Sequence, residues 1–281
     1  MQKSRFIKHY QQLINDFERN FSKTLKGKDI EDIHQMRVTI KKLRAIWMLM
    51  DSIFPNETDQ IDHSKVFNPL FKQSGIVREA QVHLSMLKKN RAKYLESYKA
   101  YQRKIQKRGS DKLHEIMVRF HEMDRDPLQD ARIEKIKSTM DPVVYTKSSV
   151  LSRKKLKKVK TLLKHSDNNS KLHNIRMHLK VVAELLSILI EIKPTKRLRR
   201  LYRKIKSVNH KIGKWHDYYV LHRSLIKFKK TELRKKSQRY YENLMLRIEI
   251  ELNERENRVI QVLQNLYAPK PKNQIDLFEE F

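Results

Sequence analysis

The chain has 281 residues and a formal net charge of +31, because it contains 63 Lys and Arg residues against 32 Asp and Glu residues. At that charge an ordinary metabolic enzyme is not the first expectation, since self-repulsion disfavours the compact state unless counter-charge is supplied. Only 4 Gly, 7 Pro and no Cys are present, which excludes a turn-rich β fold, glycine-rich phosphate loops, disulfides and thiolate sites. Hydrophobic residues make up 39% of the chain, so we expect a folded protein with a polyanionic partner.

Helix-breaking residues divide the chain into runs whose apolar residues recur every three or four positions, which is typical of amphipathic helices. No run shows the alternation of a strand, so we predict an all-α fold. The predicted breaks lie at residues 27–29, 55–56, 68–69, 109–110, 126–127, 141–142, 165–170, 193–194 and 269–271. The predicted helix N-caps are Asp29, Ser149, Ser170, Thr195 and, followed by proline, Asp126.

A pair of short motifs occurs twice, in the same order and at nearly the same separation. Residues 33–41 and 172–180 both have the pattern apolar-His-x-apolar-Arg-x-x-apolar-Lys. Farther along, residues 75–79 (GIVRE) match residues 213–217 (GKWHD). Each repeated part is too long for one unit of a solenoid, so the duplication predicts two related helical bundles. Their predicted bounds are residues 1–145 and 146–268.

Each copy of the first motif predicts a buried apolar stripe and, one position along the helix, a stripe of cations. Cations one turn apart repel each other, so the arrangement favours an anion lying along the stripe, with rungs about 5–6 Å apart that suit a chain of phosphates. A solvated cationic face is the alternative. The predicted core residues are Ile33, Met36, Ile40, Leu43 and Trp47, then Leu172, Ile175, Leu179, Val182 and Leu186. The predicted anion-binding residues are His34, Arg37, Lys41, Lys42 and Arg44, then His173, Arg176 and Lys180.

These segments resemble the signature of the CHAD family, the conserved histidine α-helical domain. The stretches that begin at Gly75 and Gly213 are similar to its second motif, Gly-x-x-x-Asp, and the resemblance extends from the first helix to about residue 265. It implies two pseudo-symmetric antiparallel helical bundles around a basic central groove or pore. It also implies non-catalytic binding of inorganic polyphosphate and targeting to polyphosphate granules.

The second half departs from the family pattern at two positions. The family usually has an Arg three residues after the motif Lys, followed by an aromatic residue, whereas this chain has Ala183 and Glu184. In the first half, Glu79 stands where the second motif usually has Asp. We therefore expect the second half to hold an anion less strongly, or to rely on other cations.

Further cations lead up to the two glycines on predicted helix faces. Residues 65, 68 and 72 match residues 203, 206 and 210 in their spacing before the glycine, and Arg78 follows Gly75. We predict that Arg78 binds the anion and that part of the remaining set is solvated. The secondary candidates are Lys65, Lys72, Arg203, Lys206 and His210.

The second motif also carries a carboxylate in each half. Because Glu79 and Asp217 would repel phosphate, we predict that each pairs with a nearby Arg or with the motif His and orients it. A His held beside a carboxylate and a phosphate would have a raised pKa, which would make binding sensitive to pH. Gly75 and Gly213 are expected to permit close packing of helices.

The sequence offers little for catalysis. His216 and Asp217 form a lone His-Asp pair, and the matching residues in the first half, Arg78 and Glu79, do not repeat it. We therefore predict no catalytic residues, no metal and no cofactor. A metal-dependent phosphohydrolase is kept as an alternative hypothesis.

Residues 269–281 are predicted to form a linker and a tail of acidic and apolar residues. Within it, residues 274–278 (QIDLF) resemble the peptide that docks on the bacterial sliding clamp. The alternative function is therefore a nucleic-acid-binding or replication-associated protein, in which Gln274 to Phe278 contact the clamp. The tail could instead pack on its own bundle, self-associate or shield the basic surface.

No membrane partner is expected. The longest apolar stretch, residues 181–192, is too short to span a bilayer and contains two Glu residues. The N-terminus lacks the apolar segment of a signal peptide, so we predict a cytoplasmic location. The oligomeric state stays open.

Binding of a polyanion would release counterions and weaken steeply with salt. A groove too narrow for sugar and base, without aromatic platforms between the cations, would discriminate against nucleic acid. Trp47 and Trp215 fall at spacings typical of the core. A scaffold whose charge serves only solubility is a further alternative, and it would show no preference among polyanions.

Overall fold

The computed structural model describes residues 4–27, 29–55, 63–88, 95–122, 141–164, 169–231 and 238–267. These ranges contain eight α-helices, so the predicted all-α class is confirmed. The helices are α1 (Arg5–Lys26), α2 (Ile30–Ile53), α3 (His63–Met86), α4 (Glu96–His121), α5 (Asp141–Lys164), α6 (Asn169–Ile192), α7 (Lys196–Thr231) and α8 (Gln238–Tyr267).

Consecutive helices pack as antiparallel pairs: α1 with α2, α3 with α4, α5 with α6, and α7 with α8. Helix α2 also packs on α3, and α6 packs on α7. Helix α6 further contacts α1 and α2, while α3 contacts α7. The helices that carry the two motifs, α2 with α3 and α6 with α7, are therefore neighbours in space.

The two predicted core stripes are buried. The apolar residues of the α2 stripe are at most 4% exposed, and those of the α6 stripe at most 2%. Fully burying an aliphatic side chain of this kind contributes about 1.5–3 kcal/mol. Burial of these stripes fixes the rotation of both helices, and so sets where the neighbouring cations point.

Helix α6 contributes to two separate apolar cores. The first core is formed mainly by α1 to α4 and includes Leu185 and Ile188 of α6. The second is formed by α5 to α8 and includes Val182, Leu186 and Leu189 of the same helix. A third core joins α3, α4, α7 and α8. Helix α6 is thus apolar over much of its circumference, which leaves a narrow face for its cations.

Two predicted breaks are wrong. Helix α3 continues through Pro69, with Phe67 and Leu70 on either side fully buried in the first core. Helix α4 continues through Gly109, whose carbonyl accepts a 2.9 Å hydrogen bond from Gln73. A Cβ at residue 109 would lie 3.1 Å from the Val77 side chain, so this glycine lets α4 approach α3. At both positions packing overrides the local preference of the residue.

Two of the predicted N-caps are confirmed. Asp29 accepts a 2.9 Å hydrogen bond from the Glu31 N–H at the start of α2, and Thr195 accepts one of 3.1 Å from Leu198 at the start of α7. Ser149 is not a cap, because α5 begins at residue 141 and the Ser149 hydroxyl donates to the carbonyl of the preceding turn. Ser170 lies inside α6. Asp126 falls outside the described residues.

The N-terminus of α1 is capped by a residue from the start of α5. The Asp141 carboxylate accepts hydrogen bonds from the Ser4 hydroxyl, from the Arg5 N–H at 3.2 Å and from the Phe6 N–H at 3.4 Å. In the other direction, the Arg5 guanidinium donates to the last carbonyl of α6, at Ile192, over 3.0 Å. These bonds satisfy exposed ends of two helices from opposite parts of the chain.

Candidate anion-binding site

Arg37 of α2 is held by the backbone of α3. Its Nη1 donates to the carbonyl oxygen of Phe71 and, over 3.0 Å, to the hydroxyl of Ser74. Ser74 is fully buried and donates in turn to the Leu70 carbonyl over 2.6 Å. The guanidinium is therefore positioned by fixed acceptors before any ligand binds.

The two motif glycines face the motif arginines. A Cβ at residue 75 would lie 3.1 Å from Arg37 Nη1, and one at residue 213 would lie 3.8 Å from Arg176 Nη2. Close packing of helices was the expected role. The nearest atoms to the missing side chains instead belong to guanidinium groups, so the glycines make room for the motif arginines.

An aromatic ring lies among the cations of the first half, contrary to the sequence-based expectation. The guanidinium carbons of Arg37 and Arg44 are each 4.2 Å from the centroid of the Phe71 ring, and the Lys41 ammonium is 5.7 Å from it. Arg44 also donates a 2.7 Å hydrogen bond to Asn68. Each such cation–π contact contributes about 0.5–2 kcal/mol.

Sequence reasoning missed Phe71 and Ser74. Phe71 precedes Gly75 by four residues and Asn68 precedes it by seven, so all three lie on one face of α3. The spacing that predicts cations before the glycine also places Asn68 and Phe71 on this face, next to Arg44 and Arg37.

The second half lacks this arrangement. The positions that correspond to Arg44 and Phe71 are Ala183 and Asn209. Arg176 keeps its place against Gly213, but its Nε is buried and has no hydrogen-bond partner among the described residues. The same holds for Asn209 Oδ1 and His216 Nδ1. In the described part of the chain, these three buried polar atoms of the second half thus lack the kind of hydrogen-bond partner that Phe71 and Ser74 give Arg37.

Cations from the two motifs act on one another across the α2–α6 contact. Burial, together with repulsion from Arg37 and Arg176, lowers the pKa of Lys41 to about 8. Burial likewise lowers the pKa of Lys180 to about 6, helped by Arg176, Lys41 and Arg37. Charges from both halves therefore meet in one region. We call the group that they form with their neighbours the cation cluster: Arg37, Lys41, Arg44, Arg78, Arg176 and Lys180.

The pKa of each motif histidine is lowered in the protein alone, and the raised pKa expected beside a carboxylate and a phosphate stays a prediction. Burial lowers the pKa of His34, with a further contribution from Arg78. Burial lowers the pKa of His173, and Arg176 and Lys180 add to the effect. The rings of His173 and His216 are 5.5 Å apart, and burial takes the pKa of His216 down to about 4. Repulsion from nearby cations outweighs any carboxylate.

The two carboxylates lie beside different partners. Burial raises the pKa of Asp217, while Arg176 and Arg78 oppose the shift, so Asp217 lies near one motif Arg and one Arg of the other half. Glu79 reaches solvent, and the charge that opposes the rise in its pKa is Arg223 of α7. Whether either carboxylate orients a ligand-binding group stays a prediction.

The secondary candidates spread over several surroundings. Lys206 acts on Glu184 and His210 acts on Asp217, which places both near the cation cluster. Lys42 also acts on Glu184. Lys72 and Arg203 have exposed side chains and are not among the described charges that act on the cluster. The side chain of Lys65 lies outside the described residues.

Four further expectations concern metal ions, membranes, the tail and the two tryptophans. Among the described residues, no three or more His, Cys, Asp or Glu side chains form a group that could hold a metal ion. No helix in the described ranges is long and apolar enough to cross a membrane. The tail motif, residues 274–278, lies outside the described residues. Trp47 and Trp215 are buried, as predicted.

Known proteins resemble this chain in both fold and sequence. The structure is similar to the crystal structure of the CHAD domain from the plant Ricinus communis, with a TM-score of 0.71 and 17% sequence identity over 95% of this chain and 94% of that one. At that identity the likeness shows the fold alone. No curated protein matches the chain. The sequence model of the CHAD domain matches residues 8–225, most of the chain, and the chain therefore belongs to the CHAD domain family.

Proposed function

We propose that this chain binds inorganic polyphosphate, without catalysis, through the cation cluster. The observation that carries the proposal is the meeting of the two motifs: Lys180 of α6 is acted on by Arg37 and Lys41 of α2, so six cations from both halves share one partly buried region. A linear polyanion supplies closely spaced negative charges along its length, which would offset the repulsion among these cations. Family membership supports the same ligand.

The energetics favour an extended anion over isolated counterions. Burial and mutual repulsion lower the pKa of both cluster lysines, which means that their charged forms are costly in the protein alone. A chain of phosphates laid along the cluster would stabilise several of these charges at once. It would also release condensed counterions, so affinity would fall steeply with salt.

The cation cluster would lie in a groove between the two halves of the chain. The two helical halves, residues 1–145 and 146–268, would enclose a basic central groove in which His34, Lys42, His173 and the secondary cations line the approach. The protein would then associate with polyphosphate granules in the cytoplasm. Phe71 would hold Arg37 and Arg44 against the ligand in the first half only.

A competition experiment tests the ligand class. Labelled long-chain polyphosphate is bound at physiological salt and challenged with single-stranded DNA, RNA, duplex DNA or heparin at equal charge concentration. Polyphosphate that survives a large excess of the others supports the proposal. Equal displacement by all of them would mean a generic cationic surface, and the nucleic-acid and scaffold hypotheses would take precedence.

A matched pair of variants tests the site. One carries Gln at Arg37, Lys41, Arg176 and Lys180; the other carries Gln at four exposed cations of α5: Arg153, Lys154, Lys157 and Lys160. Both variants lose four basic side chains. We expect the first variant to bind polyphosphate about tenfold or more weakly, because it has lost contacts to phosphates. Its affinity should also depend less steeply on salt, since fewer counterions are released. Equal losses in the two variants would refute the cation cluster as the site.

A further inference from the structure

The cationic stripe of α6 ends in a carboxylate. Glu184 follows Lys180 by four residues, so it occupies the next rung of the stripe formed by His173, Arg176 and Lys180. The corresponding position in α2 is Ala45, which is buried in the first half. Only the second motif helix therefore carries an acid at this level.

Glu184 lies among ammonium groups from two other helices. Its side chain is partly buried on α6, a helix that packs on both α2 and α7. Burial raises the pKa of its carboxyl, and Lys42, Lys206 and Lys41, two lysines from α2 and one from α7, oppose the rise. The carboxylate thus faces the same lysines that flank or belong to the cation cluster.

We propose that Glu184 is an internal counter-anion that competes with phosphate for Lys41, Lys42 and Lys206 and so sets the affinity of the site. This inference rests on the proposed function. A phosphate that approaches these lysines meets the carboxylate of Glu184 in a partly desolvated region, where repulsion between charges is poorly screened. Glu184 therefore offsets part of the positive charge of these lysines, which weakens their attraction for the ligand.

Bulk electrostatics predicts a small and similar gain in affinity when any carboxylate is neutralised, whereas a local counter-anion predicts a larger gain at Glu184. Glu184→Gln keeps the shape of the side chain and removes its charge. We expect it to tighten binding of a polyphosphate of defined length by about three- to tenfold. Glu191→Gln is the matched control, because Glu191 lies on the same helix, is exposed, and acts on His9 rather than on the cluster lysines.

The experiment measures dissociation constants for the full-length wild type and both variants at one ionic strength, with thermal unfolding as a check on folding. Glu184→Ala repeats the test if the Gln variant does not fold. A gain confined to Glu184 variants, and reduced when Lys42 is also changed to Gln, supports the inference. Equal gains at Glu184 and Glu191, no gain, or weaker binding would overturn it.

These outcomes are separable from failure of the proposed function. If the wild type binds polyphosphate and Glu184→Gln does not tighten it, Glu184 has no competing role while the function stands. If neither wild type nor variant binds polyphosphate, the proposed function itself is wrong.

Discussion

The guanidinium of Arg37 occupies the space that a side chain at residue 75 would need. A Cβ on Gly75 would lie 3.1 Å from Arg37 Nη1 and 3.4 Å from Nη2. The guanidinium has little freedom to move away, because it donates to the Phe71 carbonyl and to Ser74 and stacks on the Phe71 ring. A Cβ on Gly213 would lie 3.8 Å from Arg176 Nη2, an ordinary van der Waals contact.

Gly75→Ala should therefore weaken polyphosphate binding while Gly213→Ala does not. The first substitution displaces Arg37, and the second fits the existing space. Alanine gains up to about 1 kcal/mol over glycine inside a helix, so we expect Gly213→Ala to be stabilised by up to that amount and Gly75→Ala by less. Binding isotherms and chemical denaturation of both variants check this pair. Equal affinities would mean that the position of Arg37 is unimportant.

Phe71→Leu should loosen two cations at once. Leucine keeps apolar volume but removes the ring on which Arg37 and Arg44 lie. We expect a loss of about 1 kcal/mol in stability, in the range of a cation–π contact, and a loss of polyphosphate affinity of several-fold. Phe71→Tyr keeps the ring and serves as the control. An affinity unchanged in Phe71→Leu would show that hydrogen bonds alone hold the arginines.

Lys180→Met should stabilise the protein, and most at low pH. The pKa of Lys180 falls from 10.5 to about 6, so the unfolded chain binds more protons between these values. Stability of the wild type therefore rises with pH across this window, because the unfolded chain loses the favourable protonation of this lysine. We expect the variant to gain about 1 kcal/mol or more near pH 6 and to lose that advantage as pH rises towards 10.5. Denaturation of both proteins at pH 6 and pH 10 measures the difference, with the exposed Lys160→Met as control.

Binding of polyphosphate should take up protons near pH 7. A phosphate beside Lys180 favours its charged form and raises a pKa that otherwise lies at about 6. Titration calorimetry in two buffers of different ionisation enthalpy counts the protons. We expect net uptake in the wild type and less in Lys180→Met. Proton release, or equal uptake in both proteins, would contradict a role for this lysine in the site.

Asp141→Asn should destabilise the fold without changing the site. The carboxylate accepts from the first N–H groups of α1, and a lost cap of this kind costs about 0.5–2 kcal/mol. Because Asp141 lies at the N-terminus of α5, away from the motif residues in sequence, we expect polyphosphate affinity to remain within about twofold of the wild type. Denaturation and binding on the same preparation separate the two effects.

The helical spacing of residues predicted the buried stripes and the cations beside them, because both depend only on the period of the α-helix. Burial of Met36 and Ile175 fixes the rotation that places Arg37 and Arg176 next to the glycines. These relations are local to a helix and its motif, and they can be read from the chain.

Features that depend on how two helices pack against each other could not be predicted from the helical period. The stacking of Arg44 on Phe71 requires that α2 and α3 pack at one particular register. The continuation of α3 through Pro69 is decided by buried neighbours rather than by the residue itself. The lowered pKa of His34 arises from burial and from Arg78, a residue more than a helix away in sequence.

The membership of α6 in two cores has a consequence for the nascent chain. Helices α1 to α4 leave the ribosome first, but their core is closed partly by Val144, Leu185 and Ile188, which are made later. Until α6 emerges, the residues that Leu185 and Ile188 cover in the finished protein stay exposed. The first core is therefore completed only after the chain has been made as far as α6, although most of its residues lie in the first four helices.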